Sequence, residues 1–158
     1  MELTARVPGS CGELVQGWLR GEPFLVTCPI DRYTRVRVSG ELQGLRGLGE
    51  KARRALELTL NTLGQGTFPW GMELTSELPR GKGMGSSSAD IAAVVAAASA
   101  ALGRSFPPEE ILHIAVQIEP TDATFFPGVV ALNQVTGRIF RRYGELPSLP
   151  LALFDTGG

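Results

Sequence analysis

The chain has 158 residues, of which 43% are hydrophobic and 20% are charged, and its formal net charge is −1. This length and composition fit one globular domain and exclude wholesale disorder. Neither half of the chain carries the excess of basic residues that contact with nucleic acid phosphates requires, so we expect no nucleic-acid partner.

The number of cysteines and the lengths of the apolar segments indicate where in the cell we expect the protein. Cys11 and Cys28 are too few for a disulfide framework or a metal finger, which favours a reducing environment. Residues 1–17 have no basic segment followed by an apolar run, so the sequence predicts no signal peptide. The longest apolar stretch, residues 91–102, is shorter than the ~20 residues of a membrane span. We therefore expect a cytoplasmic protein without a membrane partner.

Alternating or apolar runs in the first half of the chain predict short strands that end at proline or glycine. These strands are 2–7, stopped by Pro8-Gly9, then 24–28, ending at Pro29, then 33–38 and 71–76, with a turn-rich connector at 12–17. A helical period over 48–63 predicts a helix that ends at 64–66. Its apolar stripe is Ala52, Leu56, Thr59, Leu60 and Leu63.

The second half of the chain predicts two helices and further strands. An alanine-rich segment after residue 90 predicts a helix to about residue 102, and 109–118 predicts another, which Pro120 breaks. The stripe of the second helix is Ile111, Leu112, Ala115 and Ile118, and the strand candidates are 129–132, 137–143 and 149–155. This order of elements predicts an α+β, two-layer domain. Because the last strand candidate meets the end of the sequence, we expect a fragment.

A glycine- and serine-rich segment, 79–90, follows a predicted strand and opens a predicted helix, as a phosphate-binding loop does. Alternating glycines at 81, 83 and 85 allow positive φ, so successive N–H groups can surround an anion beside the helix dipole. Lys82 adds a charge that can reach a phosphate. Ser87 and Asp90 fit the spacing of a capping box, so the plain alternative is a flexible turn before a capped helix. One glycine and one serine suffice for a cap, which favours the phosphate loop.

The loop is neither a Walker A motif nor a dinucleotide fingerprint, because Lys82 is followed by Gly83 and the glycine spacing differs. Its sequence, PRGKGMGSSSA at 79–89, resembles the second motif of the GHMP kinases, in which the loop wraps ATP phosphates and a serine hydroxyl helps to hold Mg²⁺. The resemblance implies the two-layer fold of the GHMP kinase N-terminal domain, which a ribosomal protein domain shares. It also implies a magnesium contact at Ser87. The implied ATP contacts are Pro79, Arg80, Gly81, Lys82, Gly83, Met84, Gly85, Ser86, Ser87, Ser88 and Ala89.

Two further segments are similar to the L-threonine kinases of cobalamin side-chain synthesis. They are PGSCGELVQG at 8–17 with FLVTCPID at 24–31, and EPTD at 119–122. The resemblance implies ATP-dependent phosphorylation of the L-threonine hydroxyl to O-phospho-L-threonine. GHMP kinases carry a second half with a glycine-rich third motif, which these 158 residues lack. The alternatives are a kinase for another small alcohol, such as homoserine, and a non-catalytic binding module of the same fold.

Phosphoryl transfer to an alcohol requires an acceptor for the hydroxyl proton. Asp122 is our candidate, because it lies in a turn just past Pro120, where a side chain can face a cleft. An aspartate at a similar place acts as the base in several GHMP kinases. We expect a neighbouring cation, such as Lys82, to keep this carboxylate ionised. The alternative role for Asp122 is an Asx turn that stabilises its own bend.

The remaining candidates would bind metal and substrate. Glu119 offers Mg²⁺ a carboxylate oxygen. The alternative is a solvated residue at a helix C-terminus, where a negative charge is unfavourable, and this favours the metal role. An amino-acid substrate needs partners for its ammonium and its carboxylate, because burying either one unpaired is costly. Glu13 and Asp31 are candidates for the ammonium, and Arg32 for the carboxylate. We interpret His113 as a solvated surface residue.

Overall fold

The computed structural model describes residues 1–156, which fold into one six-stranded sheet and three helices. The strands are β1 (Glu2–Leu19), β2 (Glu22–Ser39), β3 (Leu45–Arg46), β4 (Gly71–Ser76), β5 (Val129–Leu132) and β6 (Ile139–Gly144). The helices are α1 (Glu50–Thr62), α2 (Ser86–Ala101) and α3 (Pro108–Ala115). The predicted α+β architecture is confirmed.

A long antiparallel hairpin, β1 and β2, replaces the three short strands and the connector predicted for this part of the chain. The two strands join through Arg20 and Gly21, whose φ angles of +53° and +83° have the sign that a tight two-residue hairpin turn requires. The register shifts between Pro8 and Ser10, and twice more before Val15. Such bulges bend a strand without ending it.

Two prolines that predicted strand ends lie inside these strands. Pro8 is in β1, and within residues 1–156 that strand pairs with β2 alone. Pro29 lies in a stretch of β2 where the side opposite β1 carries no strand, because β4 pairs with 34–39 and β5 with 25–26. A proline lacks the N–H that a ladder needs, so it is tolerated where no partner strand accepts one. The resulting gap beside residues 27–33 of β2 is where the candidate site lies.

The helices cover one face of the sheet. α2 lies against β1, β2 and β4, and α1 and α3 flank it. Both of its valines and most of its alanines are buried, and none of its residues is exposed, as expected of a helix that is apolar all round. α1 buries part of its predicted stripe, including Ala52 and Leu56, whereas its charged face remains exposed. None of the helices within residues 1–156 has the length and apolar character needed to cross a bilayer.

Several predicted boundaries differ from the structure. α1 and α3 are shorter than the predicted 48–63 and 109–118, while β4 and β5 have the predicted bounds. The strand predicted at 149–155 is wrong, because 145–156 have no regular secondary structure. The capping box is also wrong: the N-cap of α2 is Gly85, with no side-chain cap bond, and the carboxylate of Asp90 bonds to other partners.

Candidate functional site

The loop between β4 and α2 has the backbone that its glycines predicted. The φ angles of Gly81, Gly83 and Gly85 are +70°, +69° and +64°, in the left-handed region that favours glycine. A Cβ atom built on Gly81 or Gly83 meets nothing within 4 Å, so the outer part of the loop is open. There is therefore room above the loop backbone for a ligand.

The first turn of α2 presents backbone donors beside this loop. The N–H groups of Ser86, Ser87 and Ser88 have no acceptor within their own helix, and no backbone acceptor is seen for them elsewhere in residues 1–156. The N–H of Ala89, in contrast, donates to the Gly85 carbonyl, and its side chain is fully buried. Unpaired donors at a helix N-terminus form an anion-binding arrangement.

A cavity of about 460 Å³ adjoins the loop, and we call it the loop cavity. Pro79, Lys82, Gly83 and Met84 line it from the loop side, and Arg32 lines it from β2. Arg80 points another way, since its guanidinium pairs with Asp90 on α2.

The base of the loop meets β1 and Asp122 at very short range. The N–H of Ser10 donates to the Met84 carbonyl at 3.0 Å, which ties β1 to the loop. A Cβ atom on Gly85 would lie 2.7 Å from both the Asp122 Oδ2 and the Ser10 Oγ atoms. The Ser10 hydroxyl in turn donates to Asp122 Oδ2 across 3.5 Å. The loop and the predicted proton acceptor are therefore in contact.

The backbone of Asp122 is held from both sides. Its N–H donates to the Ser88 Oγ at 3.3 Å, and its carbonyl accepts a hydrogen bond from the Thr27 hydroxyl. The bend itself is closed by Thr121, whose Oγ1 accepts the N–H of Ala123 at 3.2 Å. Thr121 thus closes the bend that the Asx-turn alternative assigned to Asp122. The Asp122 carboxylate faces Ser10 and Gly85 instead.

The electrostatic surroundings of Asp122 are acidic. Burial raises the pKa of its carboxyl above the usual 3.8, and the negative charges of Glu13 and Glu119 raise the pKa further, against the hydrogen bond from Ser10. The expectation of a cation that keeps Asp122 ionised is corrected, because Lys82 pairs with Asp155 at 3.2 Å. The structure thus brings Glu13, from β1, into the neighbourhood of the predicted proton acceptor.

Glu119 is the second carboxylate whose charge acts on Asp122. Its side chain is only 15% exposed, so the solvated alternative does not describe it, and its carboxylate pairs with Lys51 of α1. No group of three or more His, Cys, Asp or Glu residues within 1–156 has the arrangement of a metal site. One carboxylate together with a serine hydroxyl, as at Glu119 and Ser87, suits a Mg²⁺ ion that takes its other ligands from phosphates and water.

The remaining substrate candidates line a second cavity of about 800 Å³, which we call the strand cavity. Asp31 and Arg32 are exposed residues of β2 at its edge, and Arg32 borders the loop cavity as well. Cys28 is a buried thiol in its wall, and its pKa is raised by burial and by the nearby Cys11. His113 is exposed on α3, as predicted.

Two contacts at the candidate site were not predicted from the sequence. Ser10 lies inside a segment that we compared with relatives, yet nothing local marks it as the hydroxyl that meets Asp122. The ion pair between Arg80 and Asp90 was hidden because Asp90 fits a capping box. Both contacts depend on tertiary packing across β1, the loop and α2.

The chain is similar to known proteins over most of its length. Residues 50–127 match the family model of the GHMP kinases N terminal domain. The chain is 40% identical over 130 residues to an L-threonine kinase of Salmonella typhimurium, covering 77% of this chain and 41% of that protein. It is 34% identical over 128 residues to an L-threonine kinase of Citrobacter freundii, covering 77% of this chain and 43% of that protein. The chain thus spans less than half the length of these curated relatives.

A solved structure shows the same fold. The mevalonate kinase of Methanococcus jannaschii superposes with a TM-score of 0.73 at 14% sequence identity, over 91% of this chain and 56% of that one. At this low identity the likeness concerns the fold alone.

The close approach at Gly85 can be tested with a matched pair of substitutions. Gly81→Ala and Gly85→Ala place a Cβ at nearly the same positive φ, which costs each variant about 1–2 kcal/mol. Only Gly85→Ala also pushes against Ser10 and Asp122, and we expect this overpacking to lower the free energy of unfolding by about 1–3 kcal/mol more. Urea denaturation measures both losses, and equal losses would contradict the contact.

The raised pKa of Asp122 predicts a pH dependence of stability. Because this carboxyl has a higher pKa in the folded state, its ionisation opposes folding, and the wild type loses stability as pH rises through that pKa. Asp122→Asn should therefore gain stability relative to the wild type between pH 3.8 and neutrality. Urea denaturation at several pH values, with Asp31→Asn as the exposed control, measures this gain. A difference that stays constant with pH would refute the prediction.

Proposed function

The chain carries the N-terminal domain of the GHMP kinases, and from this premise we propose that it serves an ATP-dependent kinase that phosphorylates the hydroxyl of L-threonine. The observation that carries the proposal is the contact at Gly85, where an open loop with unpaired backbone donors meets the half-buried carboxylate of Asp122. Phosphoryl transfer to an alcohol needs both, one for the phosphates and one for the proton. The product would be O-phospho-L-threonine, for use in cobalamin side-chain synthesis.

ATP would bind with its phosphates over the loop, at the implied contacts from Pro79 to Ala89 other than Arg80, whose guanidinium pairs with Asp90. The open space above Gly81 and Gly83 and the unpaired N–H groups at the start of α2 fit an anion of this kind. Lys82 lines the loop cavity and would contribute its charge to the phosphates in exchange for its pairing with Asp155. When bound, ATP supplies the phosphoryl group that is transferred.

Mg²⁺ would be held by the Ser87 hydroxyl and the Glu119 carboxylate together with the phosphates. These oxygen donors fit the ion, and the buried position of Glu119 would strengthen the interaction because water screens it less. When bound, the ion neutralises negative charge on the phosphates. Glu119 would also have to exchange its pairing with Lys51, which is exposed and bears its charge at the surface.

Asp122 would accept the hydroxyl proton of the substrate. As the hydroxyl oxygen bonds to the γ-phosphorus and the bond to the bridging oxygen of ADP breaks, the proton would pass to the Asp122 carboxylate. Its raised pKa makes it a stronger base than an exposed aspartate. Ser10 and Gly85 fix its position relative to the loop.

The substrate's charged groups would be matched by residues around the two cavities. Glu13 acts electrostatically on Asp122, so an ammonium bound there would relieve the repulsion between the carboxylates. Arg32 borders both cavities and is exposed, so it is accessible to the substrate carboxylate, and Asp31 beside it is a second candidate for the ammonium. This set of charges favours an amino acid over an uncharged alcohol.

The substrate is tested by comparing L-threonine with homoserine and mevalonate in a coupled assay of ADP formation. The assay uses the full product of the gene that encodes this chain, with the 158-residue chain in parallel. We expect turnover with L-threonine to exceed that with the other two alcohols, because the relatives that this chain resembles are L-threonine kinases. Turnover of homoserine alone would remove the L-threonine assignment and leave the kinase. Absence of ADP formation and of ATP binding would favour a non-catalytic module.

The role of Asp122 predicts a specific kinetic defect. Asp122→Asn keeps the size of the side chain but accepts no proton, so turnover should fall by about 10²–10⁴-fold while the affinity for Mg-ATP changes little. Asp31→Asn serves as the control for loss of a carboxylate at the cavity edge, and it should affect the KM for L-threonine rather than turnover. An unchanged turnover of Asp122→Asn would exclude the residue as the proton acceptor.

A further inference from the structure

Asp90 is a buried charge that the proposed reaction does not use. Its side chain, in the second turn of α2, is 5% exposed, yet both carboxylate oxygens have partners. Oδ1 accepts a 2.7 Å hydrogen bond from the Thr34 hydroxyl of β2, and Oδ2 lies 3.2 Å from the Arg80 guanidinium of the loop. The carboxylate therefore connects the helix to the strand and to the loop.

The same network reaches the end of β4. The Thr34 hydroxyl also lies 2.8 Å from the Ser76 Oγ, and this oxygen accepts the N–H of Leu78 at 3.2 Å. Ser76 is the last residue of β4, and Leu78 and Arg80 lead into the glycines. One chain of polar contacts thus joins the segment that enters the loop to the helix that leaves it.

We propose that Asp90 is a positioning residue that clamps the two ends of the phosphate loop together through Arg80 and Thr34. The inference rests on the proposed function, because the clamp matters for activity only if the loop binds nucleotide phosphates. In this arrangement Arg80 acts through Asp90 and is not itself a phosphate ligand.

The cost of burying the Asp90 carboxylate favours a role in positioning the loop over a role in stabilising the fold. Burial raises the pKa of Asp90 despite the hydrogen bond from Thr34 and the charge of Arg80, so the surroundings oppose the ionised group. A buried ion pair is often no more stabilising than apolar residues of similar volume. A loop with three glycines, however, loses much conformational freedom when a ligand orders it. A clamp that orders the loop in advance reduces this cost and tightens binding.

A double-mutant cycle tests whether Arg80 acts through Asp90. Asp90→Asn keeps an acceptor for the Thr34 hydroxyl but loses the ion pair, and Arg80→Met loses it from the other side. Each variant should raise the Kd and KM for Mg-ATP by about threefold to tenfold and leave kcat within about twofold of the wild type. The double variant should bind no more weakly than either single variant, because both remove the same interaction.

The cycle also has an outcome that overturns the proposal. If Arg80 contacts the phosphates directly, Arg80→Met will weaken binding as much in the Asp90→Asn background as in the wild type. Glu110→Gln is the matched control, because it removes the ion pair between Arg104 and Glu110, which lies away from the loop, with the same change of charge. This control should bind Mg-ATP as the wild type does.

A measurement without nucleotide separates the clamp from the proposed function. NMR relaxation of the backbone amides of Gly81 and Gly83 should show lower order parameters in Asp90→Asn than in the wild type and in Glu110→Gln. Unchanged order parameters would overturn the clamp whatever the protein binds. Lower order parameters in a protein whose wild type does not bind Mg-ATP would support the clamp and refute the proposed function.

Discussion

The site depends on one close approach, at Gly85, where the loop backbone, the Ser10 hydroxyl and the Asp122 carboxylate meet with no space for a side chain. Three distant parts of the chain contribute to this point: the bulged strand β1, the turn after α3 and the start of α2. Two hydrogen bonds join these parts, from the Ser10 N–H to the Met84 carbonyl and from the Asp122 N–H to the Ser88 Oγ. A glycine at this position is a steric requirement of the site as well as a conformational one.

The same approach determines the electrostatics. The fold holds Glu13 and Glu119 near a half-buried Asp122, and their charges act in the same direction as partial burial on its pKa. Like charges in a partly desolvated space destabilise the folded chain unless a cation enters. The ammonium of an amino acid and a magnesium ion would both lower this cost. The acidity that disfavours the ligand-free chain therefore favours the ligands proposed for it.

Local patterns predicted much of the fold and only part of the site. β4 and β5 have the bounds that alternation and apolar runs indicate, because both are regular and end at clear turn residues. The sequence predicted strand ends at Pro8 and Pro29, but both strands of the hairpin continue through these residues. Whether a strand tolerates a proline depends on which strands pair beside it, and this is not visible in the local sequence. The glycine loop was evident from its own residues. The neighbours of Asp122 were not, because Glu13 is brought to it by packing between segments more than a hundred residues apart in sequence.

The gap in the sheet and the burial of α2 determine the surroundings of the glycine loop. β5 pairs with residues 25–26 of β2, and β4 pairs with residues 34–39. Among the described residues no strand pairs with this side of residues 27–33, and Asp122 and the loop lie beside the resulting space. No residue of α2 is exposed, and its single charged residue, Asp90, faces β2 and Arg80. Through this carboxylate, a helix that packs in the core is bonded to the segment that enters the glycine loop. A glycine-rich segment, whose backbone has wide conformational freedom, is thereby attached to a packed helix by an ion pair.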